Sequence, residues 1–178
     1  MTISSTNSIN YNALEVNSAE AIQGSLSVTN NAGDSSHDNA IVVSNALQAT
    51  GNITIINQET SITVADGAAV SAENIAMNAS EIIVAGNVTA DSATTLNAGS
   101  ITVNGSVNTT NATTTLTSTS DLTLNGSGTV SGKTVNVSAG QNFIHNGGAI
   151  SGEKDVITAG RNVQLQGGSI AATNASLT

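Results

Sequence analysis

Residues 137–170, VSAGQNFIHNGGAISGEKDVITAGRNVQLQGGSI, state nearly one phrase twice at a step of twenty residues. Ala139-Gly140 returns as Ala159-Gly160, Phe143 as Val163, Gly147-Gly148 as Gly167-Gly168 and Ile150 as Ile170. Small and apolar positions are held while polar ones drift. A fixed period of this length constrains a fold more than any composition does, because each repeat must place the same side chains against its neighbours.

The period extends upstream. Gly67, Gly86, Gly105, Gly126, Gly147 and Gly167 each follow a short alternating segment, at steps of 19, 19, 21, 21 and 20. Those segments are Ile62-Thr63-Val64, Ile82-Ile83-Val84, Ile101-Thr102-Val103, Leu122-Thr123-Leu124, Phe143-Ile144-His145 and Val163-Gln164-Leu165. A lone aliphatic comes a few residues later, at Val70, Val88, Val107, Val130, Ile150 and Ile170. A third segment lies upstream in most repeats: Ile53-Thr54-Ile55, Ile75-Ala76-Met77, Thr115-Leu116, Val135-Asn136-Val137, Val156-Ile157. Small corners separate it from the first: Ala79-Ser80, Ala98-Gly99, Ala139-Gly140, Ala159-Gly160. Alternation with period 2 means strands with one buried face. Gly, Asn and Ser between them supply tight corners, and the six marker glycines are read as structural turn residues.

Three short strands in about twenty residues predict an all-β fold, a right-handed parallel β-helix (β-solenoid) in which each repeat is one turn and equivalent strands stack about 4.8 Å apart. Six regular coils are expected over about 52–172, within a regular region 52–178. Residues 1–51 are read as irregular coils or a cap, with strands at 13–16, 25–28 and 40–43 and a protruding loop near 32–39. About eight coils would make a rod on the order of 40 Å long. Composition agrees. The chain of 178 residues has no proline, where about 5% is usual, and a proline would remove a ladder bond from a strand paired on both sides. Tyr11 and Phe143 are the only aromatics, as suits a narrow aliphatic core.

The same composition excludes function classes. With no Cys there is no disulfide framework, thiolate metal site or cysteine nucleophile. Three basic residues, Lys133, Lys154 and Arg161, against twelve acidic ones give a net charge of −9, which cannot neutralise a run of phosphates, so no nucleic-acid partner is expected. No stretch approaches eighteen apolar residues, so no membrane insertion is expected, and the N-terminus has no basic and apolar leader pattern. The abrupt end at AATNASLT reads as a piece cut from a longer chain.

Candidate chemistry is sparse. Asp66, Glu73, Glu81, Asp91, Asp121, Glu153 and Asp155 fall at isolated places rather than as the paired carboxylates a glycosidase needs, so no enzyme is expected. Glu153 and Asp155 flank Lys154 in what reads as a solvated corner. His145 is the odd residue in the column of Val64, Val84, Val103, Leu124 and Leu165; either it points to the core edge or Ile144 replaces it. His37 beside Asp34 and Asp38 is a weak metal pair without a spacing motif. The Gly-Gly pairs at 147–148 and 167–168 lead into Ala-Ile and Ser-Ile without the Asp of a calcium roll. No cofactor or metal is therefore assigned. Asn52, Asn78, Asn87, Asn104, Asn108, Asn111, Asn125, Asn136 and Asn174 each precede x-Ser/Thr, the acceptor triplet for glycosylation, but stacked asparagines also form hydrogen-bond ladders.

The phrase Ala159-Gly160-Arg161-Asn162-Val163-Gln164-Leu165-Gln166-Gly167-Gly168-Ser169-Ile170, AGxxVxLxGGxI, resembles the repeats of filamentous haemagglutinin-like exoproteins, bacterial adhesins, haemolysins and toxin carriers exported by two-partner secretion. The resemblance covers the last two coils well and the four before them loosely. The secretion domain of that family carries Asn-Pro motifs and this chain has no Pro, so the resemblance implies a segment of repeat shaft, secreted or held at the cell surface, that carries a distal domain. Expected partners are flanking domains of a longer exoprotein or like subunits end to end; a host-surface receptor goes with the whole exoprotein, and nothing in the repeat names one. Two other readings stand beside this one. A β-helix with open ends can stack into a filament as a self-polymerising subunit. The column Thr63, Ile83, Thr102, Thr123, Ile144, Gln164 with the Thr-rich stretch 113–120 could order water as an ice-binding face.

Overall fold

Short aliphatic strands separated by small residues close into a three-sided solenoid in the computed structural model, which describes residues 2–5, 14–30 and 40–178. The described residues hold fifteen strands and no helix, running from Thr2–Ser5 to Asn162–Leu177, and every pairing between them is parallel. The chain makes about 7 turns of roughly 20 residues. Some strands, such as Ala69–Val84 and Asn142–Ala159, pass round corners, where their pairing shifts register, between Ala72 and Asn74 in the first and between His145 and Ala149 in the second.

Each side contributes inward columns. On the first side Val28, Ile55, Met77, Leu96, Leu116, Val137, Ile157 and Leu177 stand in register. On the second, Ile41, Ile62, Ile82, Ile101, Leu122, Phe143 and Val163 form one column, and Val43, Val64, Val84, Val103, Leu124, His145 and Leu165 the next. The third side has Leu47, Val70, Val88, Val107, Val130, Ile150 and Ile170. From turn to turn down to Ile157 these residues are almost wholly buried and form one continuous core. Burying each aliphatic side chain contributes about 1.5–3 kcal/mol, and the β-branched majority suits a stacked strand. The stack ends in the last turn, where Leu165 is 54% and Leu177 43% exposed.

The described part of the first fifty residues already follows this register: Leu26–Asn30 pairs with residues 53–57, Ile41–Val43 with 62–64 and Ala46–Gln48 with 69–71. The loop expected at 32–39, with His37, Asp34 and Asp38, lies outside the described residues.

The six marker glycines all fall at the corner between the second and third sides, but they are not one stack. Corner length varies. Two residues separate Val84 from Asn87 and Val103 from Ser106, whereas four separate Val64 from Ala69 and Leu124 from Thr129. The residue just before the third side is Ala68, Gly86, Gly105, Gly128, Gly148 and Gly168 in successive turns. Here the chain runs against the backbone of the turn before it. A Cβ at Gly105 would lie 2.0 Å from the Gly86 carbonyl oxygen, and one at Gly148 would lie 1.9 Å from that of Gly128. Of the marker glycines only Gly86 and Gly105 belong to this close-approach column. Gly67 and Gly126 sit in the tips of the longer corners at φ 77° and 48°, with open space around them, and Gly147 and Gly167 one residue ahead of the column.

Candidate functional site

Outward positions carry mostly uncharged polar side chains. The second-side column is Thr63, Ile83, Thr102, Thr123, Ile144 and Gln164, all half-buried between their neighbours. Asparagines stack at the corners as the repeat predicts. Asn74 Nδ2 donates to Asn52 Oδ1 at 2.8 Å, Asn125 to Asn104 at 3.1 Å, Asn146 to Asn125 at 2.9 Å and Asn162 to Asn142 at 2.9 Å; Asn142 donates to the Asp121 carboxylate at 2.9 Å. The amide nitrogens of Asn125 and Asn142 are thus used inside the protein, and a glycan on Asn125 would break its rung.

A concave feature with a polar lining lies at the third corner, between the third and first sides. It is a groove of about 580 Å³ running along several turns, lined by Asn108, Asn111, Ser131, Lys133, Ser151 and Glu153 among others. Gly132 and Gly152 form part of its wall. Hydroxyl, amide and one side chain of each charge converge there, but no aromatic platform does.

Polar groups also line the inside of that corner. Thr94, Thr109 and Thr114 are fully buried. Thr109 Oγ1 donates to Thr94 at 2.8 Å, and Thr114 Oγ1 reaches Thr109 at 2.7 Å and the Ser131 carbonyl at 2.6 Å. Two turns along the same column stands Asp155, paired in register with Val135. This corrects the reading of Asp155 as part of a solvated corner. Glu153 and Lys154 are exposed there, but Asp155 points inward and is 0% exposed, while Val156 takes the outward place opposite Asn136. The segment Lys154-Asp155-Val156-Ile157 can alternate in either phase; stacking Ile157 on Val137 fixes the one that buries the acid. Neither carboxyl oxygen has a hydrogen-bond partner, and burial pushes the carboxyl above the usual range. A side chain at Gly152 would collide with it, since a Cβ there would lie 2.5 Å from Oδ1.

His145 takes the first of its two expected places. It is 1% exposed, stacked in its column between Leu124 and Leu165, with its ring 6.0 Å from that of Phe143. Burial holds the imidazole below its usual range, partly countered by a hydrogen bond with the Gly147 backbone. Its Nε2 has no partner and lies over Gly168, where a Cβ would come within 2.8 Å. Beneath it, Leu165, Ile170, Ala175 and Leu177 line a cavity of about 330 Å³ in the last turn.

Of the acids singled out in the sequence, Glu73 and Asp91 fall at the same corner in successive turns, both exposed. Among the described residues no three of His, Asp and Glu are grouped to hold a metal ion, and no helix is long and apolar enough to cross a membrane. Sequence reasoning missed the burial of Asp155 and the Thr94–Thr109–Thr114 thread; the signal was Thr94, Thr114 and Asp155 in a column otherwise filled by Leu26, Ile53, Ile75 and Val135. Comparison of the chain with family models, with curated proteins and with solved structures finds no match.

Proposed function

We propose that this chain is a non-enzymatic structural shaft, a rod segment of a secreted or surface-held bacterial exoprotein of the filamentous haemagglutinin-like kind. The observation that carries the reading is the continuity of the inward columns, which keep register along each side from turn to turn, with shifts confined to the corners, beneath a surface of uncharged Thr, Ser and Asn. A rod of repeating turns separates what lies at its two ends, and each turn contacts only its neighbours, so length is set by turn number alone. Flanking parts of a longer chain are its natural partners in this role.

Turn number is also what an experiment can change. Duplicating residues 122–142, one whole turn from Leu122 to the residue before Phe143, should give a folded protein whose rod is longer by one strand spacing, about 4.8 Å, by small-angle scattering. A duplicated chain that unfolds or collapses into a different shape would defeat the modular-shaft reading. A second reading, head-to-tail polymerisation, rests on the last strand Asn162–Leu177, which pairs on one side only and leaves Leu165 and Leu177 exposed. Light scattering and negative-stain images across a concentration series separate the two: monodisperse rods support the shaft, and fibres that grow with concentration support the filament.

A further inference from the structure

Three Asn-Gly pairs stack at the corner between the second and third sides: Asn104-Gly105, Asn125-Gly126 and Asn146-Gly147. They are the same dipeptide in three different surroundings. In any Asn-Gly pair the glycine nitrogen can attack the side-chain amide carbon, because no Cβ on the glycine shields it. Whether it does so depends on three things: a free nitrogen, a glycine not closed in by the neighbouring turn, so that the corner can move as the ring forms, and an activated side-chain carbonyl.

Only the middle pair has all three. Gly126 lies outside any strand, and its N–H donates to no acceptor among the described residues, whereas the Gly105 N–H is held by the Val84 carbonyl at 3.0 Å. Gly126 is exposed, and nothing lies within 4 Å of where its Cβ would be. Gly147 is closed in, its Cβ position 2.9 Å from the Gly126 carbonyl oxygen, within the strand Asn142–Ala159. The Asn125 side-chain Oδ1 accepts a hydrogen bond from Asn146 Nδ2 at 2.9 Å. That donor draws electron density from the carbonyl carbon and stabilises the charge that gathers on the oxygen when a nucleophile adds, as donors in an oxyanion hole do.

We propose that Asn125 is a site of spontaneous covalent modification, at which the Gly126 nitrogen closes on the Asn125 side chain to a cyclic imide that water opens to aspartate or isoaspartate. The bond from the Gly126 nitrogen to Asn125 Cγ forms and the Cγ–Nδ2 bond breaks. Hydroxide takes the proton from the Gly126 nitrogen, and the amide nitrogen leaves as ammonia with a proton from water. One further water adds across either imide C–N bond; no electrons are gained or lost. The result is local. Aspartate at 125 has no amide hydrogen for Asn104 Oδ1, so two acceptors face each other where a bond of 3.1 Å stood. Isoaspartate adds a backbone carbon to the corner closed by the Gly128 N–H on the Asn125 carbonyl at 2.7 Å. Leu124, one residue back, keeps its place in the core. The inference is independent of the shaft reading: a corner that ages while the rod holds.

The experiment is peptide-mapping mass spectrometry on the whole folded protein, sampled over time at mildly alkaline pH, with a denatured sample alongside. The three pairs should convert at comparable rates when denatured, and in the folded protein Asn125 should convert several-fold faster than Asn104. Conversion of Asn104 as fast as Asn125 in the folded protein would overturn the proposal, as would silence at Asn125 while the denatured sample reacts. Asn146→Ala, which removes the donor from the Asn125 oxygen at an exposed position, should slow conversion at Asn125; an unchanged rate would remove the activating role assigned to Asn146.

Discussion

Val135 and Asp155 occupy one column a single turn apart, and only one of them belongs in an apolar interior. Its burial without a partner makes Asp155 a costly residue. Asp155→Val should stabilise the protein at neutral pH by about 1–3 kcal/mol, the penalty of an unsatisfied buried polar group, measured by chemical denaturation. The pH dependence has a definite sign. Burial raises the folded carboxyl above its ordinary 3.8, so the folded state holds its proton more tightly than the unfolded chain. Stability is full in acid and falls as pH rises from near 3.8 to the raised folded value; Asp155→Val should flatten that slope. His145 acts in the opposite sense. Its folded value lies below the ordinary 6.5, so stability is full above 6.5 and falls as pH drops below it toward the folded value, and His145→Leu should remove that fall. Unchanged slopes in the two variants would show that other groups set the pH profile. The His145 column was legible in the sequence because Leu124 and Leu165 flank it at the repeat distance. Asp155 was not, because hydropathy favours Val156 inside and only the stacking of Ile157 on Val137 settles the phase.

At the level of elements the corners decide more than the strands do. Apart from residues 154–157, strand positions could be read directly, since an aliphatic every second residue admits one inward face. Corner glycines could not be aligned by spacing, because corners of two to four residues shift them against one another. What selects the close-approach column is a carbonyl oxygen of the preceding turn, which no single repeat displays. Two substitutions separate the two kinds of glycine. Gly148→Ala places a Cβ 1.9 Å from the Gly128 carbonyl oxygen at φ 79°, so the turn must shift, and a loss above about 3 kcal/mol is expected. Gly126→Ala meets nothing within 4 Å and bears only the left-handed conformation at φ 48°, about 1–2 kcal/mol. Thermal denaturation of both variants checks the order; equal losses would mean that the close approach at Gly148 relaxes freely.

On the scale of the whole molecule, stability is a sum over turns and the interfaces between them. Among the described residues the strand Asn162–Leu177 pairs on one side only and holds the exposed Leu165 and Leu177, so in this chain native-state hydrogen exchange should be fastest over 162–178 and slow progressively toward the central turns. Uniform protection along the rod would contradict that gradient. The sequence made the period, the three sides and the polar surface legible, while the groove at the third corner and the buried threonine thread depend on which turns meet and emerge only in three dimensions. The asparagine rungs add something that stacking energy does not describe. In each amide pair, Asn74 with Asn52, Asn125 with Asn104, Asn146 with Asn125 and Asn162 with Asn142, the later residue gives the hydrogen and the earlier one receives it. The rod therefore has a direction written along its flank. A chain that emerges N-terminus first meets, at each of these rungs, an oxygen already in place for its own amide to reach.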